Sequence, residues 1–278
     1  MKVQVITDST SDIPQDTAEK LGIRIVPIYV RFGDKVYRDG IDIDSDTFYE
    51  KLLTSPVHPA TSQPTPEDFE NVFREYRNNT DGIVSIHVSS RISGTYNSAM
   101  IAKKMLASDC PIEVVDSRFN SGGLALVTMA AARLARAGES LPVILDEAKK
   151  SIGQIHMFGV FNTMKYLARS GRVNRGIVAA AGILNVKPLL TFRDGDIVRA
   201  GLVRTISRGM DRICKFVEEK RNITEMLIVH SAIPEQAETL KRRLGQFFPI
   251  EKINIMKLGA GLGVHGGPGV LLASVRVS

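Results

Sequence analysis

Tryptophan is absent from the 278 residues, cysteine occurs twice, and aromatic residues make up only 6%. Cys110 and Cys214 lie far apart and form no C-x-x-C pair, which excludes a disulfide framework and a cysteine zinc site. No apolar run approaches the roughly 18 to 20 residues that a membrane helix needs. The start, MKVQVITDSTSD, turns polar where a signal peptide would turn apolar, so a cytoplasmic location is expected. A lysine-bearing P-loop, an H-E-x-x-H zinc motif, a G-x-S-x-G elbow and recognisable nucleic-acid modules are also missing. Triphosphate binding, zinc proteolysis and α/β-hydrolase chemistry lose their usual signatures.

What is present is an ordinary globular composition, 44% hydrophobic and 24% charged, long enough to suit two domains better than one. The net charge of +6 is unevenly spread. Residues 1–139 hold 15 basic and 19 acidic residues, a balance of −4, whereas residues 140–278 hold 21 and 11, a balance of +10. Many of those bases sit among acids on predicted helices, as in DRICKFVEEKR, and read as solvated faces. Nucleic acid is therefore not an expected partner. An acidic small ligand or an acidic protein remains compatible with the basic half.

The first half alternates strands and helices. Val3 to Ile6 reads as a strand, and Asp12 with Pro14 opens a helix that Gly22 stops. Ile23 to Phe32 and Lys35 to Arg38 flank Gly33-Asp34 as a hairpin. Asp44 caps a helix over 46–53, and Thr65-Pro66-Glu67-Asp68 is a capping box with proline at the first helical position. The proline-rich stretch SPVHPATSQPT between them reads as a loop. Strands are expected over 83–88 and 112–115, with helices from about residue 94 to 107 and over 123–137. Such β-α steps imply a mainly parallel sheet with helices on both faces.

From about Leu141 the pattern changes. Helices are expected over 142–152, 164–169, 175–184, 206–221 and 234–247, with strands over 155–161, 225–230 and 252–258. Pro188 to Phe192 and Ile197 to Val203 form the clearest hairpin, around Arg193-Asp194-Gly195-Asp196. The whole is an α/β protein: an N-terminal α/β domain over residues 1–155 and a C-terminal α+β domain with a mixed sheet over 156–278.

Gly261-Leu-Gly263-Val-His-Gly266 matches G-x-G-x-x-G, but only twelve residues follow it, too few for the helix and strand of a dinucleotide unit. Its glycines predict a loop in close backbone contact with something, carrying His265, or simply a tight connection between strands. In SSRISGTYNSA, Ser93 and Gly94 fall at the start of a helix, where free N–H groups and hydroxyls suit an anion, or where a serine merely caps. Thr61 and Ser62 lie ahead of another helix in a loop stiffened by Pro64 and Pro66. Asp8 to Asp12, and Asp116 with Ser117, close strands in the same way and point toward the crevice at the carboxyl ends of the sheet. Ser93, His265 and Asp116 are triad residue types, yet the elbow that exposes a nucleophile is missing.

Taken together, ITDSTSDIP at 6–14, TSQPTP at 61–66, ISGTYNSA at 92–99, the aspartate and serine at 116–117, MKYLARSGRV at 164–173, NVKPLL at 185–190 with Asp194-Gly195, and VHGGPG at 264–269 resemble the DegV family of bacterial fatty-acid-binding proteins. The resemblance implies one long-chain fatty acid held between two domains with its carboxylate buried, and no catalytic residue, metal or cofactor. Some members are the acyl-binding subunit of a fatty acid kinase, presenting the carboxylate to a separate ATP-binding subunit. By the same resemblance Thr61 and Ser93 are carboxylate hydroxyls, with Ser62 and Gly94 beside them, and His265 is the histidine of the C-terminal loop. Arg172 and Arg204 then lie near the ligand head or the partner surface. Gly266 departs from a frequent threonine. The apolar segment Gly176 to Leu184 reads equally as a tunnel wall or as an ordinary core helix. The fold also looks like that of the dihydroxyacetone kinase substrate subunit, which holds its substrate covalently on a histidine. An enzyme using His265 as nucleophile or covalent anchor is accordingly the rival reading.

Overall fold

The computed structural model describes residues 2–106, 109–172 and 186–278; the expected helix over 175–184 and the candidate wall at 176–184 lie outside the described residues. Four parallel strands form the first sheet in the order β2-β1-β6-β7: β1 (Val3–Asp8), β2 (Ile23–Val26), β6 (Gly82–His87) and β7 (Ile112–Asp116). Helices α3 (Pro66–Tyr76) and α4 (Thr95–Met105) cover one face through Phe69, Phe73, Ala99 and Ala102, packed on Ile6, Ile83 and Ile112. The capping box of Thr65 and Asp68 forms as expected, each side chain taking up the other's backbone N–H.

The expected long strand over Ile23 to Phe32 is instead broken at Pro27, which cannot donate to a ladder. Its first part is β2; its second, β3 (Tyr29–Phe32), pairs with β4 (Lys35–Arg38) across the predicted two-residue turn. A further departure is β5 (Ala60–Ser62), read from sequence as loop. It pairs antiparallel with β3, Val30 opposite Thr61, to complete a three-stranded sheet. Two flanking prolines masked a strand only three residues long.

Helix α5 (Ser121–Arg136) is buried on every side from Ser121 to Ala132. Its alanines and leucines pack on Val3, Val5, Val84 and Ile86 of the first sheet and on Met157, Leu227, Val229 and Leu272 of a second. That second, mixed sheet has six strands in the order β10-β9-β8-β13-β11-β12. They are β8 (Ile155–Val160), β9 (Lys187–Arg193), β10 (Asp196–Val203), β11 (Ile223–His230), β12 (Ile253–Lys257) and β13 (Leu271–Val277). Its far face is covered by α8 (Ile206–Glu218) and α9 (Pro234–Leu244), through Ile213, Val217, Leu240 and Leu244. The remaining α-helices among the described residues are α1 (Gln15–Leu21), α2 (Ser45–Thr54), α6 (Leu141–Gln154), α7 (Lys165–Ser170) and α10 (Ala260–Gly266). The fold is thus α/β, with one parallel and one mixed sheet and helices on both sides.

Candidate functional site

The carboxyl ends of β1 and β6 are tied together by Asp8. Its carboxylate accepts from the Val88 N–H at 3.0 Å, from the Thr10 N–H at 3.1 Å and from His87 Nδ1 at 3.0 Å. Asp116, at the end of β7, accepts from Ser90 Oγ at 2.5 Å and from the Arg118 N–H at 2.8 Å. These carboxylates are consumed in shaping the loop 88–94, so that Ser90, Arg91, Ser93 and Gly94 project into a chamber in front of the sheet. Ser93 Oγ lies 2.9 Å from Thr95 Oγ1, and Gly94 caps α4.

Thr61, Ser62 and Gln63 reach the same chamber from β5 and the residue after it. Gly94 is what admits them. A Cβ there would lie 2.2 Å from Gln63 Oε1, whereas the bare glycine lets the Gln63 amide pass and donate to Ser98 Oγ at 3.2 Å. Opposite stands His265, whose Nε2 is 2.9 Å from Thr61 Oγ1.

His265 does not sit in a glycine loop, as its surroundings suggest, but on the last turn of α10. The glycines serve packing. A Cβ on Gly261 would come within 2.2 Å of Ile28 Cδ1, and one on Gly263 within 2.5 Å of Phe48 Cε1, so the helix lies flat on the small sheet and α2 only because both side chains are missing. Gly267, at φ +69°, then turns the chain against the Tyr166 ring.

Burial, reinforced by Arg172 and His58, lowers the His265 pKa to about 4, so the imidazole is neutral at physiological pH. Its Nδ1 is buried without a hydrogen-bond partner among the described residues. An orphan N–H there would cost more than an orphan lone pair, which favours the proton on Nε2, donating to Thr61 Oγ1. The Thr61 hydroxyl hydrogen is then free to point into the chamber.

The chamber holds about 1,000 Å³ counted to its mouth, and Arg91, Asn97, Asn120 and Arg172 also line it. Beside it lies an apolar pocket, about 550 Å³ counted out to its open side, walled by Met157, Phe158, Phe161, Leu167, Leu190, Phe192, Val270 and Leu272. The two spaces share Asn120, Ile197, Leu262 and His265. One cleft therefore passes from a hydroxyl- and arginine-rich end to an apolar end, with the histidine at the junction.

Thr61, Ser62, Ser93, Gly94, His265 and Arg172 are all brought to this chamber. Arg204 is not: it is exposed just beyond β10 and lines neither space. Gln63, Arg91, Asn97 and Asn120 line the chamber and were not singled out from sequence. Asn120 had a usable signal, an asparagine immediately ahead of a helix; it occupies the cap position of α5 without making the capping bond. Among the described residues no group of three or more His, Cys, Asp or Glu side chains is placed to hold a metal ion. No helix among them is long and apolar enough to cross a membrane.

Fold and site together define an α/β protein with an amphipathic cleft between a parallel and a mixed sheet. Comparison with known proteins narrows the class. The family described as "uncharacterised protein, DegV family" matches residues 2–276, and the chain belongs to that family. A DegV domain-containing protein of Caldanaerobacter subterraneus subsp. tengcongensis is 34% identical over 270 residues, covering 96% of each chain. A DegV family protein from Thermus thermophilus, described for its fatty acid binding, superposes with a TM-score of 0.91 at 31% identity and 100% coverage of both chains. DegV from Bacillus subtilis, described as a fatty acid binding protein, gives 0.89 at 28% identity, again over the whole of both chains.

Proposed function

We propose that this chain binds one long-chain fatty acid between its units of residues 1–155 and 156–278, carboxylate in the polar chamber and acyl tail in the apolar cavity. One observation carries the reading: a hydroxyl-rich chamber and an apolar cavity meet at the same four residues, His265 among them. A carboxylate taken out of water must be met by several donors. In this reading the Thr61 hydroxyl, oriented by His265 Nε2–H, and the Ser93 hydroxyl supply them, with Ser62 and Gly94 alongside and Arg172 offsetting the charge. The tail provides the drive: at about 0.8 kcal/mol per buried CH₂, a sixteen-carbon chain gains roughly 11 kcal/mol before the costs of association.

The same reading makes the chain an acyl-binding subunit without catalytic residues or cofactor, presenting the carboxylate to a separate ATP-binding kinase subunit, with Arg204 on the docking side. The rival, a covalent anchor on His265, needs a nucleophilic nitrogen facing the ligand. Nε2 is engaged by Thr61 and Nδ1 is buried, which favours the carrier. Mass spectrometry of the purified protein under native and denaturing conditions tests the choice. A fatty acid that is present natively and lost on denaturation is expected; an adduct that survives denaturation and maps to His265 would overturn the reading.

A further inference from the structure

Helix α10 is the element that sets His265 against Thr61, and its first turn is gripped by two buried carboxylates from the other half of the chain. Asp12 accepts from the Gly259 N–H at 2.8 Å and from Ser121 Oγ at 2.6 Å. Asp39 accepts from the Ala260 N–H at 3.0 Å and from Ser9 Oγ at 2.8 Å. Oxygens of both lie within 3.5 Å of the point where a Cβ on Gly259 would sit. Asp12 is 9% exposed, Asp39 is 5% exposed, and among the described residues no lysine or arginine is prominent among the groups that act on either. Two unpaired carboxylates so close and so buried cannot both be ionised cheaply. Ser121, the second partner of Asp12, follows Asn120, so the same grip reaches the cleft from a second direction.

We propose that Asp12 and Asp39 are positioning residues of the head-group site: they fix the first turn of α10 and with it the His265–Thr61 contact, so that ligand retention depends on the protonation of the pair. The inference rests on the fatty-acid reading given above and assigns that site its regulation. Both residues line a groove that His265 does not, together with Arg24 and Lys257, which provides a route for the proton. When both carboxyls are ionised, repulsion across Gly259 is relieved by letting water between them and α10, which shifts the helix and loosens the Thr61 contact.

Burial, opposed by bonds from Ser9, Gly261 and Ala260, leaves the Asp39 pKa raised to about 6, and burial above all lifts Asp12 well above the usual carboxyl range. Among the described residues, the other titratable or charged groups near this turn are Asp8 on β1, Arg24 on β2 in the same groove, Asp44 ahead of α2, Asp46 and Tyr49 on α2, Lys257 on β12, where it pairs with Asp46 at 2.6 Å, and His230 on β11. Burial drives Tyr49 up from 10.0 and His230 down from 6.5, and the Thr47 N–H holds Asp44 down; the window from about pH 5 to 9 spans the Asp39 value of about 6, and His230 is common to wild type and variants.

The test is the affinity of wild type, Asp39→Asn and Asp39→Leu for a fluorescent polyene fatty acid across that window, with amide exchange of residues 259–265 followed in the same samples. Wild-type affinity is expected to fall about fivefold or more as the pair loses its proton, with faster exchange in α10. Asp39→Asn keeps an acceptor for Ala260 but leaves position 39 neutral at every pH, so repulsion across Gly259 cannot develop; its profile should be flatter than that of wild type, and it should bind more tightly than Asp39→Leu. A wild-type profile that Asp39→Asn leaves unchanged, or equal affinities of the asparagine and leucine variants, would refute the inference while leaving the fatty-acid reading intact. If no variant bound a fatty acid, that reading would fail instead, and a pH-dependent exchange in α10 abolished by Asp39→Asn would still show the grip.

Discussion

Replacement of Asp39 by asparagine should change the pH dependence of stability in a direction the structure fixes. The folded protein holds the Asp39 proton up to about pH 6, against an ordinary value of 3.8 in the unfolded chain. A carboxyl with a raised pKa favours folding below 3.8, and that advantage is lost as pH rises through the interval from 3.8 to about 6. The side chain is 5% exposed, so solvent screening does not dilute the effect. A rise of about two units corresponds to about 3 kcal/mol, present as a penalty at pH 7 and absent at pH 3. Asparagine retains an acceptor for the Ala260 N–H, and the Ser9 hydroxyl, which already accepts from the Ile28 N–H at 3.1 Å, must turn to meet the new amide. That rearrangement costs about 1 kcal/mol at any pH. The variant is therefore expected to be less stable than wild type near pH 4 and more stable by about 2 kcal/mol near pH 8, the sign reversing between. Urea unfolding at constant ionic strength, read as the difference between the two proteins at each pH, measures this. A difference constant from pH 4 to 8 would mean that Asp39 is not held protonated, and the reasoning would fall.

Three further outcomes follow from the cleft. Thr61→Val and Ser93→Ala should each weaken fatty-acid binding by about 1 to 3 kcal/mol with the fold retained, by removing a donor from a buried anion; calorimetric titration showing unchanged affinity in both would remove the carboxylate site. Gly94→Ala places a Cβ where the Gln63 amide lies, so it should loosen β5 and lower fatty-acid affinity while costing only about 1 kcal/mol of stability, the amide being the free end of a flexible side chain; equal affinity in competition binding would contradict this. Arg204→Glu should spare fatty-acid affinity yet impair acyl phosphate formation with a kinase partner, because exposed charges steer encounter, whereas His265→Ala should weaken binding itself; full phosphorylation with Arg204→Glu would leave that arginine without a docking role.

Much of this architecture is legible in the sequence because local signals and long-range packing agree. The Thr65–Asp68 capping box, the Gly33-Asp34 and Asp194-Gly195 turns and the alanine-rich α5 all stand where their residues predict. The misreadings share one cause. Proline and glycine punctuate a chain strongly, and both were read as ends of regular structure. At 60–62 a strand persists between prolines because β3 offers an edge to pair with. At 260–266 a helix survives three glycines because removing their side chains buries it against Ile28, Phe48 and Tyr49, and the gain in packing exceeds the loss of helix propensity. The grip of Asp12 and Asp39 on α10 is illegible for a different reason, although Asp12 itself stands in the strand-end cluster that the sequence marks. Their partners, Gly259 and Ala260, lie more than two hundred residues away, and nothing near either aspartate in sequence announces them.

The serine, histidine and aspartate that do align in this fold are not the Ser93, His265 and Asp116 that their residue types suggest as a triad. Ser85 Oγ is 2.6 Å from His87 Nε2, and His87 Nδ1 is 3.0 Å from Asp8, the spacing of a charge-relay line. All three side chains are fully buried, and Ser85 lies on an inner strand paired on both sides, to Ile6 and to Val114. A nucleophile needs a substrate within reach, and Ser85 lines neither the chamber nor the apolar cavity. The line instead spends its hydrogen bonds on Asp8, which also holds the Val88 N–H, the first amide of the loop that carries Ser93. With every partner satisfied inside the sheet, these residues act as a brace: they fix where β6 ends, and so where the hydroxyls of the chamber begin.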